Sequence, residues 1–544
     1  MTRWRMQFVL SVELDDGALT ELRVTDAIQT EYLGHAGFVV HYAGKQVLID
    51  PWFYPAFLKS WFPFPDNRFL ASSLAGRRFD YLYVSHTHED HFDSQFLECV
   101  DRQTQILCPA YRSKGLLKKF RAMGFSRIIP LAHKRSYELA PGFVATVFLD
   151  TSHKEDSGLL LDMGGFRFLD LNDCNTPLSE LPTGIDILAA QFSGAMWYPN
   201  CYDYPAGLMR EKVACVRSDL LNSVVQKCRV TGAKAYLPSA GPPCFLDPAL
   251  AAFNDRDHTI FPVWEGVEGE FLSACSNTRV LRIDPGDQFH VRGGQVQAEY
   301  LTGARPDSSI ESYQERRRAE WEEFHNGADR PVTQPEVVAY FNALQRRNQH
   351  LLHDFSKKVR FAADGHAWTV KLGQLAEDFV IEGEEPYPAD YALEMPNRVL
   401  RAVIDGTVGW EEALLSLRVH LRRDPDVFDS RLMGLLRYGN EPAQTLQMAK
   451  EAAGGEMIER DGLRMRRFCP HAGEDLKFAT ICNGVIECPR HRWRWDVKTG
   501  ECIAGGNLRL QVQPVCHTVA ASPARTHDEP DSQQRQLIDE RLSS

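Results

Sequence analysis

Four residues in two short loops restrict this chain more than anything else in it. Cys469-Pro470-His471 is followed, after sixteen residues, by Cys488-Pro489-Arg490-His491. Each loop offers one soft thiolate and one imidazole within a single turn. Metal ligands must sit on turns that can converge, and Pro470 and Pro489 stiffen both loops. Gly473, Gly484 and Gly500 supply tight turns around them. Two thiolates and two imidazoles suit a [2Fe–2S] cluster in which thiolates hold one iron and imidazoles the other. Two neutral imidazoles leave that cluster less negative than four thiolates would, so it accepts an electron more readily. A chain carrying this unit is expected to move single electrons.

A second group of ligand-type side chains lies far upstream. His86, His88, Asp90 and His91 stand within six residues, directly after the hydrophobic strand Tyr81–Val84. Four such groups at one strand end are hard to account for as an ordinary turn.

At 544 residues the chain is too long for one core, and about three domains are expected. A formal charge of -12 argues against a general nucleic-acid binder, which needs clustered Lys and Arg. No run of about 18 apolar residues is present, so no membrane span is expected. Of thirteen cysteines, eleven remain once Cys469 and Cys488 are assigned to the cluster. An odd, irregularly spaced remainder reads as reduced thiols in a cytoplasmic protein.

Residues 1–28 alternate apolar and polar as a strand pair. Short strands then alternate with helical stretches such as Ser113–Met123 and Leu208–Cys228, giving a mixed α/β domain over 1–300. Residues 301–445 read as an α+β connecting or oligomerisation segment, with helices at Pro396–Ile404 and Trp410–Arg422. Gly454-Gly455 marks a hinge before a small all-β unit at 455–518. A polar tail, 519–544, is expected to be disordered.

The stretch Cys488–Gly506 resembles the second cluster loop of Rieske ferredoxins and oxygenases. The upstream group is similar to the H-x-H-x-D-H motif of the metallo-β-lactamase superfamily, and Leu33–Phe53 resembles that superfamily's opening strands. The fold implied is an αββα sandwich, a middle α+β segment and a small all-β Rieske domain. The resemblance makes His86 and His88 ligands of one metal, and Asp90 and His91 ligands of a second. His153 matches the next histidine. Asp173 matches the bridging aspartate, with Asp170 the alternative. The superfamily's closing histidine has no match in Leu237–Leu250; Asp247 is the nearest ligand candidate there, and His258 another.

The pairing of both domains resembles the CMP-N-acetylneuraminate hydroxylase family, although the Rieske part comes last here and first in the animal members. Gln191–Asn200 also looks similar to that family, and places Trp197, Tyr198 and Tyr202 where they could stack on a substrate ring. A hydrolase needs no electrons, because its metal activates water without redox change. The combination therefore implies a Rieske-coupled non-haem iron oxygenase acting on a polar substrate: an amino sugar, a nucleotide sugar or a biosynthetic amine. Its cofactors would be the [2Fe–2S] cluster and a mononuclear or dinuclear iron, with dioxygen as co-substrate. The alternative is a zinc hydrolase with a redox-sensing cluster. No Gly-x-Gly-x-x-Gly unit is convincing, so an external ferredoxin or reductase is expected to supply electrons. Arg490, Arg492 and Arg494 offer either a dock for an acidic donor or a solvated strand edge. A homo-oligomer is left open.

Overall fold

A computed structural model describes residues 28–150, 152–292, 295–301, 305–327, 329–373, 379–383, 388–471, 473–490, 492–505 and 508–515. The strand pair read over 1–28 and the tail at 519–544 lie outside these residues, apart from Ile28 itself.

Two sheets form the N-terminal sandwich. The first has eight strands, running from the hairpin Gln288–Arg292 and Gln295–Glu299 through Ile28–Gly34, Gly37–Tyr42, Lys45–Ile49, Tyr81–Tyr83 and Gln105–Pro109 to Ile128–Leu131. The second has seven, with Phe166–Asn172 central between Ser157–Met163 and Ile187–Gln191. The two-residue period of a strand sorts its side chains into opposite layers. Phe38 and Val40 face the space between the sheets, while Val39 faces the outer layer with the helix Gly115–Ala122. Leu159 and Leu161 likewise point inward, and Leu160 outward. Both sheets are thus apolar on both faces, and helices must cover each outer side. Arg68–Leu74 and Gly115–Ala122 cover the first, Ala206–Thr231 and Glu268–Ala274 the second. The result is the expected αββα sandwich.

The middle segment builds a five-stranded sheet in the order Val380–Glu382, His366–Leu372, Lys357–Ala363, Tyr391–Met395, His420–Arg423. The helix expected over Trp410–Arg422 ends at Leu415. Leu417 takes a left-handed φ of 57°, and His420–Arg423 becomes an edge strand instead. That edge joins the first domain: Leu421 N donates to Cys201 O at 2.8 Å, and Asp203 N donates to Leu421 O at 3.1 Å. Trp52, Trp61, Phe245 and Phe261 share one apolar core with Trp368 and Trp410, so the two parts are packed as a unit. The helix Pro442–Ala453 crosses the boundary read at 445.

The C-terminal unit has two small sheets around Met465, Ile486 and the fully buried Trp495. It is pinned to the sandwich by Arg490, which is neither a donor dock nor a solvated edge. Its guanidinium has no solvent exposure and pairs with the buried Glu474 at 2.8 Å. It also donates to Asn175 Oδ1 at 3.0 Å and to the Thr176 carbonyl. Asn222 Nδ2 returns a hydrogen bond of 2.8 Å to Arg490 O, and Glu474 accepts from Leu178 N. Among the described residues no helix is long and apolar enough to cross a membrane.

Removing one partner of a buried ion pair strands the other charge, which costs ~3–5 kcal/mol. Arg490→Met is therefore expected to lower the urea midpoint and to expose residues 454–456 to proteolysis; unchanged cleavage would refute the clamp. On the same interface, burial pushes the Asp219 carboxyl up from 3.8 to about 7, while Arg492 draws it partly back. A raised carboxyl favours the folded state most when protonated. That contribution is complete below the unfolded pKa and is lost as pH rises through about 7. Asp219→Asn should flatten the fall in stability between about pH 4 and 7, read from urea midpoints across that range.

Candidate metal centre and cluster face

The ligand-type residues gather at the strand ends of the sandwich. Ser85 stands two residues past the end of the strand Tyr81–Tyr83, and its backbone N and Oγ both donate to the buried Asp50 at 2.7 Å. Asp50 caps the end of the neighbouring strand Lys45–Ile49 and also takes His91 Nδ1 at 2.9 Å. With that nitrogen committed to a carboxylate, Nε2 of His91 is left to face inward. It lies 3.5 Å from Asp173 Oδ1 and 3.9 Å from Asp90 Oδ2. His86 Nε2 and His88 Nδ1 converge at 2.8 Å, and His86 Nδ1 lies 3.3 Å from Asp156 Oδ1.

This donor set fits a divalent metal. Asp90 Oδ1, His91 Nε2 and Asp173 Oδ1 are buried and have no hydrogen-bond partner. Leaving such atoms unpaired in a protein interior is costly, and bound cations would satisfy them. The electrostatics agree. Burial opposes a charge on His91, yet Asp173 and Asp90 overcome it and hold its pKa well above the usual value. Burial and the neighbouring Asp173 push Asp156 up to about 6, against the pull of His86. Burial and His86 lower His88 to about 4.

Of the residues expected from sequence, His86, His88, Asp90, His91 and Asp173 come together. His153 and Asp247 do not. His153 gives Nδ1 to Glu451 Oε2 at 2.9 Å and sets its ring edge against Tyr438. Its place beside His86 is taken by Asp156, three residues on, because Asp150 N bonds Asp156 O at 2.8 Å and closes the turn there. Asp247 caps the turn Pro248–Asn254, and its carboxylate is taken by Arg418 at 2.6 Å and His325 at 2.7 Å. His258 is exposed and pairs with Asp255. Asp170 is buried behind the group, where burial and then Asp50 push its carboxyl well up. Sequence reasoning also missed His35, which lies 3.4 Å from Asp90, and Glu411, which reaches from the middle segment to 3.7 Å from His88 Nε2.

The cluster loops face this group. Cys469 N bonds Glu474 O at 2.7 Å and Cys488 N bonds Trp493 O at 2.8 Å, so each thiol sits at the base of a closed turn. Both cysteines are buried. His471 stacks on Trp493 with ring centres 4.0 Å apart. Burial and the charge of Lys154 lower its pKa to about 3, which keeps the imidazole neutral as a metal ligand must be. His491 lies outside the described residues. One cavity of about 1940 Å³ is lined by His86, His88, Asp156 and Asp173, by Cys469, His471 and Trp493, and by Glu411, Arg437 and Tyr438. Tyr198 also lines it and is partly exposed. Trp197 and Tyr202 reach it but are largely buried, Trp197 under Arg437 and Tyr202 stacked on Tyr204 beneath Arg423.

His86→Ala is expected to reduce bound upstream metal while leaving the visible absorption of the cluster intact. Parallel loss of both signals would mean the two centres are not separate.

Residues 460–513 match the Rieske [2Fe-2S] domain, and residues 29–180 match a beta-lactamase superfamily domain. The chain therefore carries a Rieske domain at its C-terminal end behind a metallo-β-lactamase-like domain. It is 29% identical to a protein of Mycolicibacterium smegmatis provisionally named a Rieske 2Fe-2S iron-sulfur protein, over 89% of this chain and all of that one. It is 23% identical to the cytidine monophosphate-N-acetylneuraminic acid hydroxylase of Asterias rubens, over 74% of this chain and 64% of that protein. Among solved structures, CmlA, a diiron beta-hydroxylase from Streptomyces venezuelae, superposes at a TM-score of 0.34 with 17% identity, covering 49% of this chain and 54% of that one.

Proposed function

We propose that this protein is a Rieske-coupled non-haem iron oxygenase in which the electron passes within one chain, from the C-terminal cluster to a metal held by the N-terminal histidines and aspartates. One observation carries this reading: both cluster loops sit on the loops that bear the metal-site carboxylates. Arg490, between Cys488 and His491, bonds Asn175 two residues after Asp173. In the first cluster loop, a Cβ at Gly473 would lie 3.4 Å from Ser152, four residues before Asp156. A hydrolase would gain nothing from a redox centre held at this place. The relationship to a hydroxylase of a nucleotide-linked amino sugar supports the same reaction type.

His86, His88, Asp90, His91, Asp156 and Asp173 would hold one or two iron ions, a mixture of imidazole and carboxylate that suits ferrous iron with open positions. Such an ion, when bound and reduced, activates dioxygen. The chain's own residues do the rest. Asp50 fixes the tautomer of His91. Glu411, held by Arg437, stands over His88 and closes the roof. Arg437, Lys154 and Glu411 give the cavity wall both signs of charge, which suits a polar substrate over an apolar one. The donor is external, a ferredoxin or a reductase in a reducing cytoplasm.

The full-length protein, prepared without oxygen and reduced, tests this. Cys488→Ala should lose cluster absorption, keep the upstream metal and fail to oxidise substrate when supplied with reductant and oxygen. Full-rate turnover by that variant, or zinc upstream in fully active protein, would overturn the proposal.

A further inference from the structure

Buried ligand-type atoms lie beside the group at His86, and one of them comes from an unexpected part of the chain. Asp90 and His91 are buried at the strand ends, and Asp90 Oδ1 and His91 Nε2 have no hydrogen-bond partner. The stretch 237–250, where sequence comparison looks for one more histidine, has none. The structure also gives a reason why Gly241 cannot provide a side chain: a Cβ there would meet the Phe192 ring at 2.6 Å.

His35 arrives at the same place from the first hairpin. Its backbone is in the left-handed region at φ 51°, a conformation that non-glycine residues seldom take and that here turns the ring inward. Three contacts hold it. The Tyr32 hydroxyl donates to His35 O at 3.1 Å, and Ala240 N donates to the same oxygen at 2.9 Å. The ring Nδ1 lies 3.0 Å from the carbonyl of Gly241. A carbonyl can only accept, so Nδ1 carries the proton and Nε2 keeps its lone pair. Nε2 points at Asp90 Oδ2, 3.4 Å away. Ligand atoms from His35, Asp90 and His91 all lie within 4.8 Å of one another, on three buried residues.

We propose that His35 is a metal ligand and that, with Asp90 and His91, it forms a second position for a divalent first-row transition metal beside the one at His86. The loop at 240–241 contributes a carbonyl that sets the tautomer of His35, in place of a side chain that binds. The proposal rests on the metal site of the preceding reading but not on its oxygen chemistry.

Cobalt(II) titration of the full-length protein, with its cluster intact and labile metal removed by a chelator, separates the two. Wild type should take a second equivalent of cobalt beyond the first, whether or not it oxidises any substrate. His35→Gln keeps an N–H able to reach the Gly241 carbonyl and should lose only the second equivalent, with cluster absorption unchanged. His258→Ala should bind as wild type does. A single equivalent in wild type, or two in His35→Gln, would overturn the proposal. Loss of both equivalents in His35→Gln would also overturn it, by showing that His35 supports the fold instead of a metal.

Discussion

A guanidinium without solvent decides how this molecule is put together. Arg490 lies between two cluster ligands in sequence, yet its side chain is spent on the neighbouring domain, with Glu474, Asn175 and Thr176 as partners. Buried charges persist only when paired and hydrogen-bonded, so this contact is all or nothing. It ties three things at once: the second cluster loop, the first cluster loop through Glu474, and the loop leading away from Asp173. That tie joins the two groups of ligand-type residues that line one cavity.

The middle segment gains a role from the same geometry. Its edge strand continues onto residues 201–203, and its core is shared with the sandwich. From this fixed position it sends Glu411 toward His88 and Arg437 toward Trp197. The cavity is therefore lined by the sandwich, the middle segment and the C-terminal unit together.

What the sequence disclosed follows the range of the interactions involved. The sandwich was legible because uninterrupted apolar runs such as Phe38–Val40 and Leu159–Leu161 are a local record of two buried faces. His86, His88, Asp90 and His91 were legible because one turn holds all four. Asp156 could not be told from His153, since both sit in one loop and only the Asp150–Asp156 turn selects between them. Glu411 left no local signal, and His35 stands in the Leu33–Phe53 stretch without being marked there as a ligand. Each matters through residues more than fifty positions away, and nothing in their neighbours announces it. Arg490 misled for a related reason: an arginine beside a cluster reads as a surface charge until the partner that buries it is known. At Leu417 a left-handed turn, needed to bring His420–Arg423 back along the sheet, broke a helix that composition alone would have continued.

The order of these parts along the chain bears on how the protein matures. The residues from His35 to Asp173 leave the ribosome long before the Rieske loops that face them. Once Arg490 seats itself against Asn175, the histidine–aspartate group faces a cavity that the Rieske domain helps to line. The part that completes the cavity is therefore synthesised after every residue of the histidine–aspartate group.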